Sequence, residues 1–210
     1  MRNGWPRRGL YAITPEDTDT RRLLKRAESV LDQGIALMQY RNKGGDATVR
    51  LEQALGLKLL CLTYGVALIV NDDIALARAM QADGVHLGEC DGDPQLARKE
   101  LGEQALIGVS CYASIERSRT AASQGADYLA FGTFFSSPTK PHARLADTQI
   151  LHEARQFGLP LVAIGGIQPD NAPMLREAGA DLIAVISGLW DTPDPAHSAR
   201  AYIEAFGNTH

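Results

Sequence analysis

No apolar run in the sequence approaches the ~18 residues needed to span a bilayer; the longest, such as Leu182 to Ile186, fall far short. The opening stretch MRNGWPRRGLYAIT carries positive charge but lacks the apolar segment of about 7–15 residues that marks a secretory signal. Together these absences predict a cytoplasmic protein with no membrane partner. Cysteine is scarce: Cys61, Cys90 and Cys111 are odd in number and show neither CxxC nor Cys/His ligand spacing. That argues against a disulfide framework and a zinc site, and predicts reduced, partly buried thiols. An excess of positive charge is missing too. With 21 Lys and Arg against 25 Asp and Glu, the net charge is -4, so no bulk positive field holds nucleic acid or anionic membrane. Any bound anion must be gripped locally.

What remains is the composition of an ordinary folding chain, with 45% apolar and 22% charged residues, far from the signature of disorder. The 210 residues are about 1.4 times the ~150 expected for one domain, which predicts a single domain over residues 1–210. Residues 1–9 read as an N-terminal extension. No linker or low-complexity segment interrupts the chain.

Short apolar, β-branched runs recur at Leu10 to Ile13, Ile35 to Tyr40, Ala67 to Val70, Gly84 to Leu87, Leu106 to Val109, Tyr128 to Phe131, Leu161 to Ile164 and Leu182 to Ile186. Between them lie stretches with helical spacing, for example Leu23, Leu24, Ala27, Val30 and Leu31 on one face. Runs apolar at consecutive positions suit strands buried on both faces, and their alternation with helices points to a parallel sheet. Gly34, Gly65, Gly125, Gly158 and Gly179 each fall between a helical stretch and the next strand, where glycine fits a left-handed C-cap. The segments Ala82-Asp83-Gly84, Ala126-Asp127-Tyr128 and Ala180-Asp181-Leu182 all introduce strands, as if one βα unit were reused. Eight such units close a (β/α)8 TIM barrel, a compact one against the typical ~250 residues. A doubly wound open sheet is the alternative, weakened because no GxGxxG follows the first strand.

In a barrel the active site lies at the C-terminal strand ends. After the second strand comes Gln39-Tyr40-Arg41-Asn42-Lys43, where alternation sends Gln39, Arg41 and Lys43 to one side and Tyr40 and Asn42 to the other. Alone, this equally fits a solvated polar strand end. After the third comes Asn71-Asp72-Asp73, and after the fourth His86-Leu87-Gly88-Glu89-Cys90-Asp91. A hard Mg2+ ion takes one or two carboxylates and completes its octahedron with water and substrate phosphates, which suits Asp72 with Asp91. Asp73 reads instead as a helix N-cap. His86, lone in an apolar strand, reads as hydrogen-bonded packing and stays outside the candidate site. Ser110 ends the fifth strand, and the sixth runs into Ser137-Pro138-Thr139-Lys140, a turn by itself or a preshaped phosphate contact. Gly165-Gly166 and Ile186-Ser187-Gly188 follow the last two strands, where barrel enzymes hold phosphate on main-chain N–H groups. Lysines, arginines and two carboxylates suit a Mg-bound diphosphate, and the glycines with Ser187 suit a second, single phosphate. No Ser/His/Asp or Cys/His arrangement appears, so the reaction needs no protein nucleophile.

These motifs, running from LYAIT at Leu10 through QYRNK, NDD, GVHLG, IGVS, FGTFFSSPTKP and VAIGGI to AVISGL at Ala184, resemble the thiamine-phosphate synthase family along nearly the whole chain. The resemblance implies a transferase that joins 4-amino-2-methyl-5-pyrimidinylmethyl diphosphate to 4-methyl-5-thiazoleethyl phosphate in thiamine biosynthesis, through a pyrimidine carbocation left when diphosphate departs. It implies that Gln39 reads the aminopyrimidine, that Arg41, Lys43, Asn71, Ser110 and Lys140 grip the diphosphate, and that Asp72 and Asp91 bind Mg2+. Ser137, Thr139, Gly166, Ile186 and Ser187 fall to the thiazole-phosphate pocket, with Tyr40, Asn42 and Pro138 counted among the substrate-binding positions. Two departures stand out: Glu89 where the family usually has Gln, and Ser137 where it often has Thr. A sister family of thiazole tautomerases and a non-catalytic thiamine-phosphate-binding module are the rivals, and neither needs the full diphosphate set. Apolar residues on outer helices leave a homo-oligomer open, and Cys111 reads as a small buried apolar residue.

Overall fold

The computed structural model describes residues 8–44, 46–136 and 145–207. Eight parallel strands form a closed barrel in sequence order: β1 (Gly9–Ile13), β2 (Leu37–Tyr40), β3 (Ala67–Asn71), β4 (Gly84–Leu87), β5 (Leu106–Tyr112), β6 (Tyr128–Phe131), β7 (Leu161–Ile164) and β8 (Leu182–Val185). The ring is closed by β8 against β1, with Leu10 opposite Ile183 and Tyr11 opposite Ala184. Helices alternate with the strands: α1 (Thr20–Leu31), α2 (Ala47–Tyr64), α3 (Ile74–Ala79), α4 (Pro94–Leu101), α5 (Ile115–Ser123), α6 (Gln149–Ala154), α7 (Ala172–Glu177), the single turn α8 (Ser187–Trp190) and α9 (Pro195–Phe206). This is the (β/α)8 TIM barrel, and the open-sheet alternative falls with the β1–β8 pairing. Among the described residues no helix is long and apolar enough to cross a membrane.

Local signals decide most of these elements. The α1 stripe buries Leu23, Ala27, Val30 and Leu31 against the sheet. All five punctuating glycines adopt positive φ, as at Gly65 (φ 67°) and Gly158 (φ 66°), the conformation that lets a helix end and the next strand begin without a Cβ penalty. Asp73 caps α3, its carboxylate accepting from Leu76 N at 2.8 Å. The repeated Ala-Asp segments share one job: Asp83 accepts from Leu68 N, Asp127 from Ile107 N and Asp181 from Leu161 N, each at 2.8 Å. Each of these aspartates, standing just before its own strand, thus satisfies the entering amide of the preceding strand at the bottom of the barrel.

Five strand boundaries differ from the sequence expectation: β2 begins at Leu37 and not at Ile35, β3 runs one residue further to Asn71, and three more bear on the site or the core. Gly9, assigned to the N-terminal extension, is the first residue of β1. Strand β5 extends past Val109 to Tyr112 because a bulge between Ser110 and Tyr112 lets it keep pairing with β6. Ile186 leaves β8 with φ -115° and ψ -95° and introduces α8.

The core has two layers. Outside the sheet, helices bury residues such as Leu23, Leu57, Leu151 and Leu175. Inside, Tyr11, Ile13, Leu37, Ile69, Leu106, Tyr128, Val162, Leu182 and Ala184 fill the barrel, the packed interior expected of this fold. Gly108 makes room there: a Cβ on it would stand 1.9 Å from the Tyr128 ring. Cys61 and Cys111 are buried and Cys90 is exposed, and all three are free thiols. Burial pushes the Cys61 thiol up to about 12, so it stays protonated and packs as a small apolar group.

Candidate active site

Strand parity carries the site residues to the mouth. Gln39 is buried at 2% exposure, and its Nε2 donates to the Tyr11 hydroxyl at 2.7 Å. Tyr11 meets the Tyr128 hydroxyl at 2.9 Å, Tyr128 meets His86 Nδ1 at 3.1 Å, and His86 Nε2 meets Ser110 Oγ at 2.9 Å. One hydrogen-bonded chain therefore crosses the barrel from Gln39 to Ser110 through residues of β1, β2, β4, β5 and β6. Burial pushes the Tyr11 hydroxyl well up and Tyr128 with it, while hydrogen bonds from Tyr128 and Gln39 partly oppose the effect at Tyr11. Burial also lowers His86 to about 4, with the Asp72 charge pulling weakly the other way. Every member of the chain is thus neutral near pH 7, which suits an aligned dipolar network in a low-dielectric interior.

Next to it, Asn42, Lys43, Arg50, Asn71, Asp72, Asp73 and Asp91 line a cavity of about 530 Å³. Asp72 holds a left-handed conformation (φ 64°), one that aspartate tolerates better than most residues, while its amide donates to His86 O at 2.8 Å. Its carboxylate accepts from Asn71 Nδ2 at 2.6 Å and pairs with Lys43 Nζ at 2.9 Å. Asp91 stands beside it. Burial first, then hydrogen bonding and charge from Asp72, push the Asp91 carboxyl up, with Lys43 and the Gly88 amide opposing. Two carboxylates crowded in this way invite a cation between or beside them. Gly88 leaves them the space: a Cβ there would stand 2.2 Å from Asp91 Oδ2 and 3.8 Å from Asp72 Oδ1.

A second, smaller cavity of about 60 Å³ lies across the mouth, lined by Ser136, Gly166, Ile186, Ser187 and Gly188 among others. Gly166 has φ 64°, and a Cβ would stand 2.4 Å from Phe135 O and 2.6 Å from Ser136 O. Glycine is required here by both conformation and space. Ser187 opens the short helix α8, the placement that barrel enzymes use for phosphate.

The structure does not gather every candidate. Tyr40 turns away from the mouth: it is 2% exposed, packs in the outer layer, and its hydroxyl meets Gln53 Oε1 at 2.9 Å. Arg41 reaches Glu16 Oε1 at 2.8 Å and does not line the carboxylate cavity, while its amide is pinned by Thr14 Oγ1 at 2.9 Å. Ser137, Pro138, Thr139 and Lys140 lie outside the described residues. Glu89 is exposed and lines a different cavity of about 530 Å³ with Cys90 and Arg117. Sequence reasoning missed Tyr11, Tyr128 and Arg50. Tyr11 and Tyr128 share inward parity with Gln39 and His86, and polar groups on an otherwise apolar inward row were the available signal. Arg50 pairs with Asp73 at 2.6 Å, and its buried Nε has no hydrogen-bond partner.

The fold is a (β/α)8 barrel with two polar-lined cavities at its strand ends, the architecture of the barrel enzymes. A family model described as thiamine monophosphate synthase matches residues 10–189. The chain belongs to that family, and thiamine-phosphate synthesis is the activity that membership gives it. It is 53% identical over 199 residues to a thiamine-phosphate synthase of Xanthomonas campestris pv. campestris, covering 95% of this chain and 96% of that one. A thiamine-phosphate synthase of Azoarcus sp. is 53% identical over 200 residues, covering 95% and 97%. Among solved structures, a thiamine phosphate pyrophosphorylase from Pyrococcus furiosus superposes with TM-score 0.85 at 31% identity, covering 97% of this chain and 98% of that one.

Proposed function

We propose that residues 1–210 work as one domain that couples 4-amino-2-methyl-5-pyrimidinylmethyl diphosphate with 4-methyl-5-thiazoleethyl phosphate, giving thiamine phosphate and pyrophosphate. The observation that carries this reading is the pairing of Asp72 and Asp91 beside Lys43 and Asn71 in one cavity, apart from the Gly166–Ser187 cavity. Two separate anion sites match a diphosphate and a monophosphate substrate.

The reaction breaks the bond between the pyrimidine CH2 and the diphosphate oxygen, and the electron pair leaves with the diphosphate. The thiazole nitrogen then gives its lone pair to the CH2+ carbon, and no proton is lost. A general base is not needed, and both ring nitrogens of His86 are engaged within the chain, by Tyr128 and Ser110. The work is electrostatic and positional. Lys43, Asn71, Ser110 and Lys140 hold the leaving diphosphate, and Arg41 would join them by exchanging its Glu16 partner for a phosphate oxygen. Gln39, whose Nε2 is committed to Tyr11, keeps Oε1 to accept from the pyrimidine amino group, and the Tyr11–Tyr128–His86 chain holds Ser110 in register with it. Ser187, Gly166, Ile186, Ser137, Pro138 and Thr139 seat the thiazole phosphate, and Asn42 borders the diphosphate cavity.

The carboxylates fit a hard divalent ion. No group of three or more His, Cys, Asp or Glu among the described residues forms a complete metal site, so the pair suits Mg2+, which takes one or two carboxylates and leaves its other positions to substrate phosphates. Bound by Asp72 and Asp91, Mg2+ would neutralise charge on the leaving diphosphate. The substrates and the net charge of -4 favour a cytoplasmic enzyme without nucleic-acid or membrane partners, as a monomer or a homo-oligomer. Incubating the purified protein with both substrates and Mg2+ should yield thiamine phosphate and pyrophosphate in equal amounts. No product under conditions where both substrates bind refutes the assignment.

A further inference from the structure

Arg117 has no place in the site described so far, yet it is tied to two of its walls. It stands in the first turn of α5, outside the barrel, where Ser114 Oγ accepts from its amide at 3.1 Å and fixes its backbone. Its Nε donates to Ser110 O at 2.5 Å, and its Nη2 donates to Gly88 O at 3.0 Å. The β4–β5 register ends at Leu87 opposite Val109, so Gly88 and Ser110 lie one step past the last ladder pair. The guanidinium bridges the end of β4 to β5 just where the β4–β5 ladder stops, while Ser110 is still paired with Ala130 of β6.

Both anchored residues lead directly to the chemistry. Gly88 lies directly against the Asp91 carboxylate: a Cβ on it would stand 2.2 Å from Asp91 Oδ2 and 3.4 Å from its Cγ, so the position of the Gly88 main chain bounds where that carboxylate can sit. Ser110 turns its hydroxyl to His86 at 2.9 Å. Just beyond it the chain bulges, and Tyr112 adopts φ 55°, a conformation costly for a bulky residue and found where surrounding structure over-determines it. The Arg117 guanidinium lies over the Tyr112 ring, 5.7 Å from its centroid, and so braces that turn as well.

We propose that Arg117 is a positioning residue for the transfer reaction: from α5 it fixes the spacing of the Gly88 and Ser110 main chains, and through Gly88, which lies against the Asp91 carboxylate, it holds that carboxylate toward the metal and diphosphate. This rests on the function proposed above. A planar fork with fixed N–H directions is what two divergent carbonyls require, and lysine offers one point charge in its place. Outer-shell partners of metal ligands are typically worth about 10–100-fold in metal affinity or activity, and that is the effect expected here.

The test uses wild type, Arg117→Lys and Arg117→Ala, each checked for its melting temperature. Calorimetry with Mg2+ and inorganic pyrophosphate should give about 10–100-fold weaker binding in both variants, with Arg117→Lys the milder. In turnover, kcat falls and half-saturating Mg2+ rises, while KM for thiazole phosphate stays at the wild-type value. Methylguanidinium added to Arg117→Ala restores part of the Mg2+ affinity. Wild-type binding of Mg2+ and pyrophosphate in both variants overturns the proposal. So does an equal loss for both substrates that follows a lowered melting temperature, which is what mere structural support predicts. If wild type makes no thiamine phosphate while Mg2+–pyrophosphate binding still depends on Arg117, the reaction assignment fails and the positioning role stands.

Discussion

Replacing Gly88 with alanine probes the metal assignment without altering a carboxylate. Gly88 is absent from the positive-φ glycines, so an L side chain meets no backbone strain there. The added Cβ would stand 2.2 Å from Asp91 Oδ2, 3.4 Å from its Cγ and 3.8 Å from Asp72 Oδ1. A carbon–oxygen contact settles at about 3.3–3.6 Å, so Oδ2 must retreat by about 1.1–1.4 Å. Mg2+ holds its oxygens at about 2.0–2.1 Å in near-ideal octahedral geometry, and a displacement of that size takes Asp91 out of reach. The rest of the site is untouched, because the neighbour that yields is a side-chain end and not main chain. The expected loss is about 10–100-fold in Mg2+ affinity, or about 1.4–2.7 kcal/mol. The assay is thiamine phosphate formation against Mg2+ concentration, with both substrates saturating and thermal melting as control. Half-saturating Mg2+ should rise by that factor, the melting temperature should hold, and KM for thiazole phosphate should not move. A folded Gly88→Ala enzyme with wild-type Mg2+ dependence refutes the role of Asp91.

Asp91→Asn should raise the melting temperature at pH 7 while removing most activity. Burial and Asp72 push this carboxyl up, so its contribution to stability is greatest at low pH and is lost as pH rises through the folded value; a lower melting temperature contradicts this. Ser187→Ala removes one hydrogen bond to a charged group, worth about 1.5–3 kcal/mol of thiazole-phosphate binding, and should leave pyrimidine diphosphate binding unchanged by calorimetry. Gly166→Val should do worse and also lower the melting temperature, because its Cβ meets main-chain oxygens at 2.4 and 2.6 Å. Lys140→Ala should lower kcat by about 10²–10³-fold, and a change confined to KM would contradict its action on the leaving group. His86, lowered to about 4, contributes stability that is complete above the unfolded value near 6.5 and is lost as pH falls from there through about 4. The loss is about 3 kcal/mol, and melting curves of His86→Gln across that interval should be correspondingly flatter.

The β-strand runs, the helix stripes and the glycine caps were legible in the residues because each is a short-range device. A C-cap needs one glycine, and a buried parallel strand needs only a few consecutive apolar side chains. Three of the strand readings match end to end, four shift by a residue or two, and the larger change, the extension of β5 from Val109 to Tyr112, depends on a bulge that only its pairing with β6 reveals. Asp72, Asp91, Lys43 and Asn71 were also legible, since polar residues placed just after apolar strands lie at the barrel mouth in any register.

The order of elements, the barrel class and the ring of strand ends where chemistry can sit follow from residues read one after another. Which polar groups meet is settled by closure of the sheet. Tyr11 and Tyr128 bond across 117 positions of chain, and closure of the barrel alone brings them together. Tyr40 faces outward to Gln53, Arg41 turns to Glu16, and Arg117 reaches in from α5 to Gly88 and Ser110. Periodicity along one chain tells which face a side chain occupies; what it touches depends on the strand register and on the helices packed outside, which are set by the whole closed sheet.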